Sequence, residues 1–310
     1  MYRTRPIWYI AHVKNGIIIK INSKSEEGIM QMIKIIVDSG CDISDEMLSD
    51  DGAKVEMVPL SLQIEDKSFI DDEHLDITEY LTEMAGSKAT PKTAAPSPGS
   101  FLSKFLGEEN IFAVTLSSKL SGSYNSAMTA KQMYVEDIGN KFIHVFDSLS
   151  ASVAEMLIVN KIKEFAKNNV SNVEIVDAIN KFIFNLRTYF ILEKFDNLVK
   201  TGRINPAVAK IASLLSIKPI CMSTREGVIA MADKAKGFKK AIEKMIELII
   251  NERVDFENRI LAISHVKCLD KALYFKEEIM KKINFKEIII VEARGVIATY
   301  ADNLGIVIAF

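Results

Sequence analysis

The residues with chemistry to offer in this chain are hydroxyls. Ser117-Ser118-Lys119-Leu120-Ser121-Gly122-Ser123-Tyr124 follows the apolar run "IFAVTL" (111–116) and leads into the helical pattern "NSAMTAKQMY". A helix whose first turn is small and hydroxyl-rich gathers free backbone N–H groups, a positive dipole end and serine O–H donors at one point, an anion seat that needs no Lys or Arg. Read the other way, Ser121 is an N-cap whose serine neighbours face solvent, and composition weighs the two equally. A second hydroxyl-bearing break, Lys92-Thr93-Ala94-Ala95-Pro96-Ser97-Pro98-Gly99, holds no strong nucleophile, base or metal ligand. Both loops are expected at one edge of a sheet, so that two hydroxyls grip one carboxylate. A neutral hydrogen bond contributes only ~0.5–3 kcal/mol. Such an anion therefore also needs an apolar pocket, where each buried CH₂ of its tail adds ~0.8 kcal/mol.

Other chemistry finds little support. The phosphate loop GxxxxGK[ST], the GxGxxG turn, the HExxH helix and the GxSxG elbow are absent, which removes the usual evidence for nucleotide binding and hydrolysis. His12, His74, His144 and His265 fall in the N-terminal leader, an acidic loop and two apolar strands, where a lone histidine is more often structural. Asp38 and Asp147 end strands at the positions where an α/β crevice collects ligands. An Asp followed by Ser or Gly there more commonly caps the next helix or organises a turn. Cys41, Cys221 and Cys268 are odd in number and form no CxxC pair, so neither a disulfide framework nor a structural zinc is expected.

The 310 residues carry a formal net charge of -2, which provides no field for nucleic acid or an anionic membrane. No apolar run approaches the ~20 residues of a membrane span. A cytoplasmic protein with reduced thiols is expected.

The elements that must position these loops read as follows. "IKIIV" (33–37), "IFAVTL" and "FIHVF" (142–146) are short continuous apolar runs of the kind buried in parallel sheets. Each precedes a polar turn and a helical stretch, the signature of a doubly wound α/β unit with ligands at the strand carboxyl ends. Asp76-Ile77-Thr78-Glu79 reads as a capping box, and Ser97-Pro98 as a cap followed by proline at the first helical position. The second half begins with a helix from about Ser150. It continues through strands at "KPICMS", "GVIAMADKA", "RILAISHV", "KEIIIVEA" and "GIVIAF", with a long amphipathic helix "FKKAIEKMIELIINE". A mixed sheet with helices on one side is expected. Residues 1–31 read as a peripheral leader or upstream-translated extension, alternatively as a hairpin around Asn15-Gly16. Residues 32–155 then form the N-terminal domain and 156–310 the C-terminal one.

From Met32 to Phe310 the chain resembles the DegV family of fatty-acid-binding proteins. Seven ordered motifs carry the resemblance: "IKIIVDSGCDIS", "VEMVPLSLQIEDKSFID", "PKTAAPSPG", "LSSKLSGSYNSA", "FDSLSAS", "LVKTGRI" and "LLSIKPI". The resemblance implies a two-domain α/β protein, an N-terminal doubly wound parallel-sheet domain and a C-terminal mixed α/β domain. One long-chain fatty acid would lie in a buried tunnel between them, with no catalysis, cofactor or metal of the protein's own. It further implies presentation of the acyl carboxylate to a separate ATP-dependent fatty acid kinase for acyl phosphate formation and lipid synthesis. By position, Thr93 and Ser121 would hold the carboxylate, with the Gly122 backbone, Tyr300, Ser39 and Ser118 in support. Arg203 and Lys236 would meet the kinase, Lys236 being equally readable as a solvated lysine in a basic cluster and Arg203 as a turn-stabilising residue.

This chain departs from the family pattern at several of these places. Gly40 replaces a Thr, and Ala94-Ala95 replace a Ser-Gln pair that could hydrogen-bond near the carboxylate. Tyr300 stands where a His usually reaches it; a phenol still donates a hydrogen bond but forfeits the imidazole's charge change near neutral pH. Lys236 replaces an Arg and loses the planar bidentate fork, while Thr201 replaces a Gly beside Arg203. Two other readings remain: a hydrolase or transferase using Ser121 or Ser118 as nucleophile, for which no His base is evident, and a lipid sensor without a kinase.

Overall fold

The uninterrupted apolar run at Ile33 forms β1 (Ile33–Asp38), buried along its whole length, in a computed structural model that describes residues 32–310 apart from 49–51, 213 and 215. The leader, with its Asn15-Gly16 hairpin and His12, lies outside the described residues. After β1 come β2 (Lys54–Val58), then β3 (Ser61–Ile64) and β4 (Lys67–Ile70) as an antiparallel pair, and α1 (Ile77–Gly86). Asp76 caps α1, accepting the Thr78 and Glu79 N–H groups at 2.8 and 3.0 Å, but Glu79 does not return the bond expected of a capping box. The complete box occurs at Ser171 and Glu174 instead, a pair the sequence reading passed over. β5 (Lys92–Ala94) pairs with β3, and α2 (Pro98–Phe105) starts as expected, with Ser97 accepting the Ser100 N–H and proline in the first turn. β6 (Asn110–Thr115), α3 (Ser123–Asp137) and β7 (Ile143–Asp147) complete a four-stranded parallel sheet of order β2-β1-β6-β7.

The second half comprises α4 (Val153–Lys167), α5 (Asn172–Asn185), β8 (Thr188–Ile191), α6 (Asp196–Lys200), α7 (Pro206–Ala212), β9 (Ile217–Ser223) and β10 (Ile229–Lys236). It continues through α8 (Phe238–Asn251), β11 (Ile260–His265), α9 (Leu269–Met280), β12 (Glu287–Glu292), α10 (Gly295–Ala301) and β13 (Ile306–Ala309). Its sheet, β10-β9-β8-β13-β11-β12, is antiparallel except for the β11–β12 pair.

Helices cover this second sheet on both faces, not one. Tyr189, Ile191, Ile306 and Ile308 point to a core shared with α8 and α9. Their alternates Phe190, Val307 and Ala309 point to the core that contains α4, as the two-residue period of a strand requires. The one-sided expectation fails because α4 covers the second face of this sheet while also packing on the first sheet. That helix packs against β1 and β6 of the first sheet and against β11 and β13 of the second. Being enclosed on both sides, it is buried at ten of its fifteen positions rather than along one stripe. The expected boundary at residue 155 falls within it.

Candidate functional site

Asp38 and Asp147 take the turn-organising role. Asp38 is fully buried and accepts the Gly40 and Leu116 N–H groups at 2.9 and 3.0 Å, tying the turn after β1 to the end of β6. Its burial pushes the carboxyl up to about 6 despite those bonds. Asp147 accepts from the Ser118 and Leu149 N–H groups, each at 3.1 Å. Neither is in the wall of the cavity that the hydroxyl loops line. The turn they shape delivers Ser121, whose hydroxyl accepts the Ser123 N–H at 3.2 Å just before α3. Gly122 is the N-cap of α3, with no side-chain cap.

The loop "KTAAPSPG" arrives beside it. A methyl placed on Gly122 would lie 3.6 Å from the Ala95 Cβ, so the two hydroxyl loops do emerge at one edge. Thr93 is held in β5 opposite Leu62 of β3, and its Oγ1 lies 2.7 Å from the Tyr300 hydroxyl on α10. Thr93, Ser121 and Tyr300 line one cavity between the two sheets. The rest of its wall is mostly apolar, including Leu116, Leu120, Phe190, Leu192 and Val307.

Arg203 also lines this cavity. Its Nε donates to the Leu120 carbonyl at 3.2 Å and its guanidinium stands 5.8 Å from the Tyr300 ring centroid, so it bridges the Ser121 loop and α10. The sequence offered it as a partner contact or as a turn-stabilising residue; its Nη1 does donate to the Thr201 carbonyl at 2.6 Å, and the cavity position was not expected. Lys236 is exposed at the end of β10 and is not in the cavity wall. Ser39 and Ser118 stand outside the wall: Ser39 accepts the Leu60 N–H at 3.0 Å and bonds to the Asp71 carboxylate, while Ser118 contributes its backbone N–H to Asp147.

Two positioning residues were invisible in the sequence. Asp71, from the loop after β4, accepts the Gly295 and Val296 N–H groups at 2.8 and 2.9 Å and so caps α10 from 224 residues away. Gly295 leaves room for this: a Cβ there would meet Asp71 Oδ1 and Leu62 Cδ1 at 2.7 Å and Leu75 Cδ2 at 2.5 Å. One turn on, Thr299 donates to the Gly295 carbonyl and receives the Tyr80 hydroxyl at 2.7 Å, and Asn197 donates to the Thr299 carbonyl at 2.8 Å. Asp42 adds a second tie, accepting from Ser152, Ser264 and the Arg294 N–H, the last at 2.7 Å. The only cue for either Asp was its place in a quoted motif, Asp42 within "IKIIVDSGCDIS" and Asp71 at the end of "VEMVPLSLQIEDKSFID".

The head of the cavity is rich in donors. Thr93 and Tyr300 share one hydrogen bond, which uses one of their two protons; no described residue accepts the other, nor that of Ser121. With Arg203 alongside, the arrangement suits an acceptor-only group. No described histidine or carboxylate lines the cavity. His144 and His265 sit in β7 and β11, their pKa values lowered by burial, that of His144 to about 4.

The DegV family model, described as "Uncharacterised protein, DegV family", matches residues 32–310. The chain belongs to the DegV family. A DegV domain-containing protein of Streptococcus gordonii is 33% identical over 277 residues, covering 89% of this chain and 98% of its own length. A DegV-family protein from Ruminococcus gnavus, described with vaccenic acid, is 38% identical with a TM-score of 0.84, over 90% of this chain and 99% of its own. The Streptococcus pneumoniae fatty acid kinase B3 protein loaded with linoleic acid is 31% identical with a TM-score of 0.83, over the same 90% and 99%. The architecture of a parallel-sheet unit and a separate mixed sheet is that of the family. A Cβ on Gly40 would fall 2.3 Å from Cγ of Leu116, a cavity-lining side chain. Among the described residues no helix is long and apolar enough to cross a membrane.

Proposed function

We propose that this DegV-family chain binds one long-chain fatty acid in the cavity between its sheets, without catalysing a reaction. The carboxylate is held by Thr93, Ser121 and Tyr300, with Arg203 as its cation and the α3 N-terminus at Gly122 behind it; the acyl chain occupies the apolar remainder. The observation that carries this reading is the pairing of an apolar cavity with a head that holds two unspent hydroxyl protons beside the Arg203 guanidinium. The fatty acids described with the R. gnavus and S. pneumoniae relatives support it.

The ligand is then presented to a separate ATP-dependent fatty acid kinase, yielding an acyl phosphate, with exposed Lys236 and half-buried Arg203 at the contact. Support comes from the S. pneumoniae relative, described as a fatty acid kinase protein. A serine-nucleophile reading finds no histidine or carboxylate in the wall to serve as base among the described residues.

The test is native mass spectrometry and organic extraction of the purified protein, followed by uptake of added palmitate or oleate. An acyl chain is expected; a protein that yields none and takes up neither overturns the reading. Thr93→Ala and Ser121→Ala are each expected to weaken retention by about 1 kcal/mol, roughly fivefold in off-rate or affinity. Wild-type values in both would reject the assigned head group. Co-purification with a kinase separates carrier from sensor.

A further inference from the structure

The cavity has a second end whose chemistry differs from the rest of its wall. Thr188, Phe190 and Leu192 line it at the two-residue period of β8, so it follows the strand for ~13 Å. At one end Leu192 and Ala301 converge on Gly305, where a Cβ would meet them at 3.1 and 3.0 Å, and this end adjoins Tyr300. At the other, Thr188 lies opposite Ala309 of β13, beside Ser223 of β9.

Here the Ser150 and Thr188 hydroxyls are 2.8 Å apart, in residues only 4% and 5% exposed. Their single bond uses one of two protons, and no described residue accepts the other. The Ser223 hydroxyl is committed to the Leu149 carbonyl at 2.7 Å. Ser150, Thr188 and Ser223 also border a polar pocket outside, which holds Arg187, Arg225 and Glu252. Arg187 pairs with Glu252 at 2.8 Å, and Arg225 lies 4.1 Å over the Phe184 ring.

The geometry points to a selectivity site for the tail of the ligand, one that accepts a fatty acid bearing a hydroxyl on its terminal carbon. This rests on the reading of the cavity as an acyl site. A terminal hydroxyl offers one donor and two acceptor lone pairs to a buried hydroxyl pair that has an unspent donor and spare lone pairs, whereas a methyl end leaves that donor unmatched. A second carboxylate is disfavoured, because no cation lines this end of the cavity and Arg187 is already neutralised outside it.

The test is competition binding on the delipidated full chain, comparing each saturated acid from dodecanoate to octadecanoate with its ω-hydroxy counterpart and its α,ω-diacid. At the best-fitting length the hydroxy acid is expected to match or exceed its parent, with the diacid weakest. In Thr188→Val, and independently in Ser150→Ala, the affinity ratio of hydroxy acid to parent is expected to fall roughly five- to tenfold. A hydroxy acid about tenfold or more weaker than its parent at every length, the cost of an unmatched buried hydroxyl, overturns the inference, as does an identical ratio in wild type and both variants. Failure of the parent acids themselves to bind would remove the acyl-site reading, and this inference with it.

Discussion

Thr93 and Tyr300 stand 207 residues apart in the chain and 2.7 Å apart in space. Each was visible as a hydroxyl worth weighing, Thr93 from its proline-set loop and Tyr300 only through the family pattern; neither sequence segment indicates that they touch. Arg203 shows the opposite failure, since its charge was plain but its direction was not. Tyr300 makes the head insensitive to the protonation change an imidazole would bring. Tyr300→His is expected to add a rise in fatty acid affinity as pH falls through about 6.5, because imidazolium pairs with the carboxylate and neutral imidazole does not. Equilibrium binding from about pH 8 to 5.5 checks this; variant and wild-type curves that run parallel across that window would sink it.

Two helices do most of the positioning. α10 carries Tyr300 and is anchored by Asp71, Tyr80 and Asn197 from elsewhere in the chain. Gly295→Ala is expected to push its first turn off Asp71 and to cost about 1–3 kcal/mol of stability, with a parallel loss of fatty acid affinity; urea denaturation and binding on the same preparation measure both. α4 carries Glu155, fully buried, with a side-chain hydrogen bond to Asp38. Burial, and then the neighbouring Asp38 and Asp42, push its pKa well above the ordinary 4.5. The native state therefore keeps a proton the unfolded chain releases. The stability this contributes is complete below about 4.5 and is lost as pH rises toward the native pKa. Glu155→Gln cannot titrate, so its unfolding midpoint is expected to decline less than that of the wild type as pH is raised from about 5 to 8. Equal slopes would contradict this.

At the scale of the molecule, the cavity exists because α4 and the hydroxyl turns hold two sheets at a fixed separation, each supplying part of the wall. A ligand in it contacts both sheets and has no comparable site in the unfolded chain. Adding fatty acid to delipidated protein at about a hundred times its dissociation constant is expected to raise unfolding free energy by about 2.7 kcal/mol. The same addition to Thr93→Ala should give a smaller increment at equal ligand concentration. A denaturation midpoint that does not move with palmitate would show that the cavity takes no acyl chain.

The sequence by itself determined the alternating strand and helix order, the parallel first sheet, the caps at Asp76 and Ser97, and the two hydroxyl loops, because apolar runs, periodicity and turn chemistry are local properties. The ordered motifs added the family. Only the tertiary structure decided that Arg203 faces the cavity, that Asp71 caps a helix from another part of the chain, that α4 serves both sheets, and that Ser150 and Thr188 close the far end with hydroxyls. Those are contacts between segments remote in sequence, set by which faces pack together, and no window of residues carries that information.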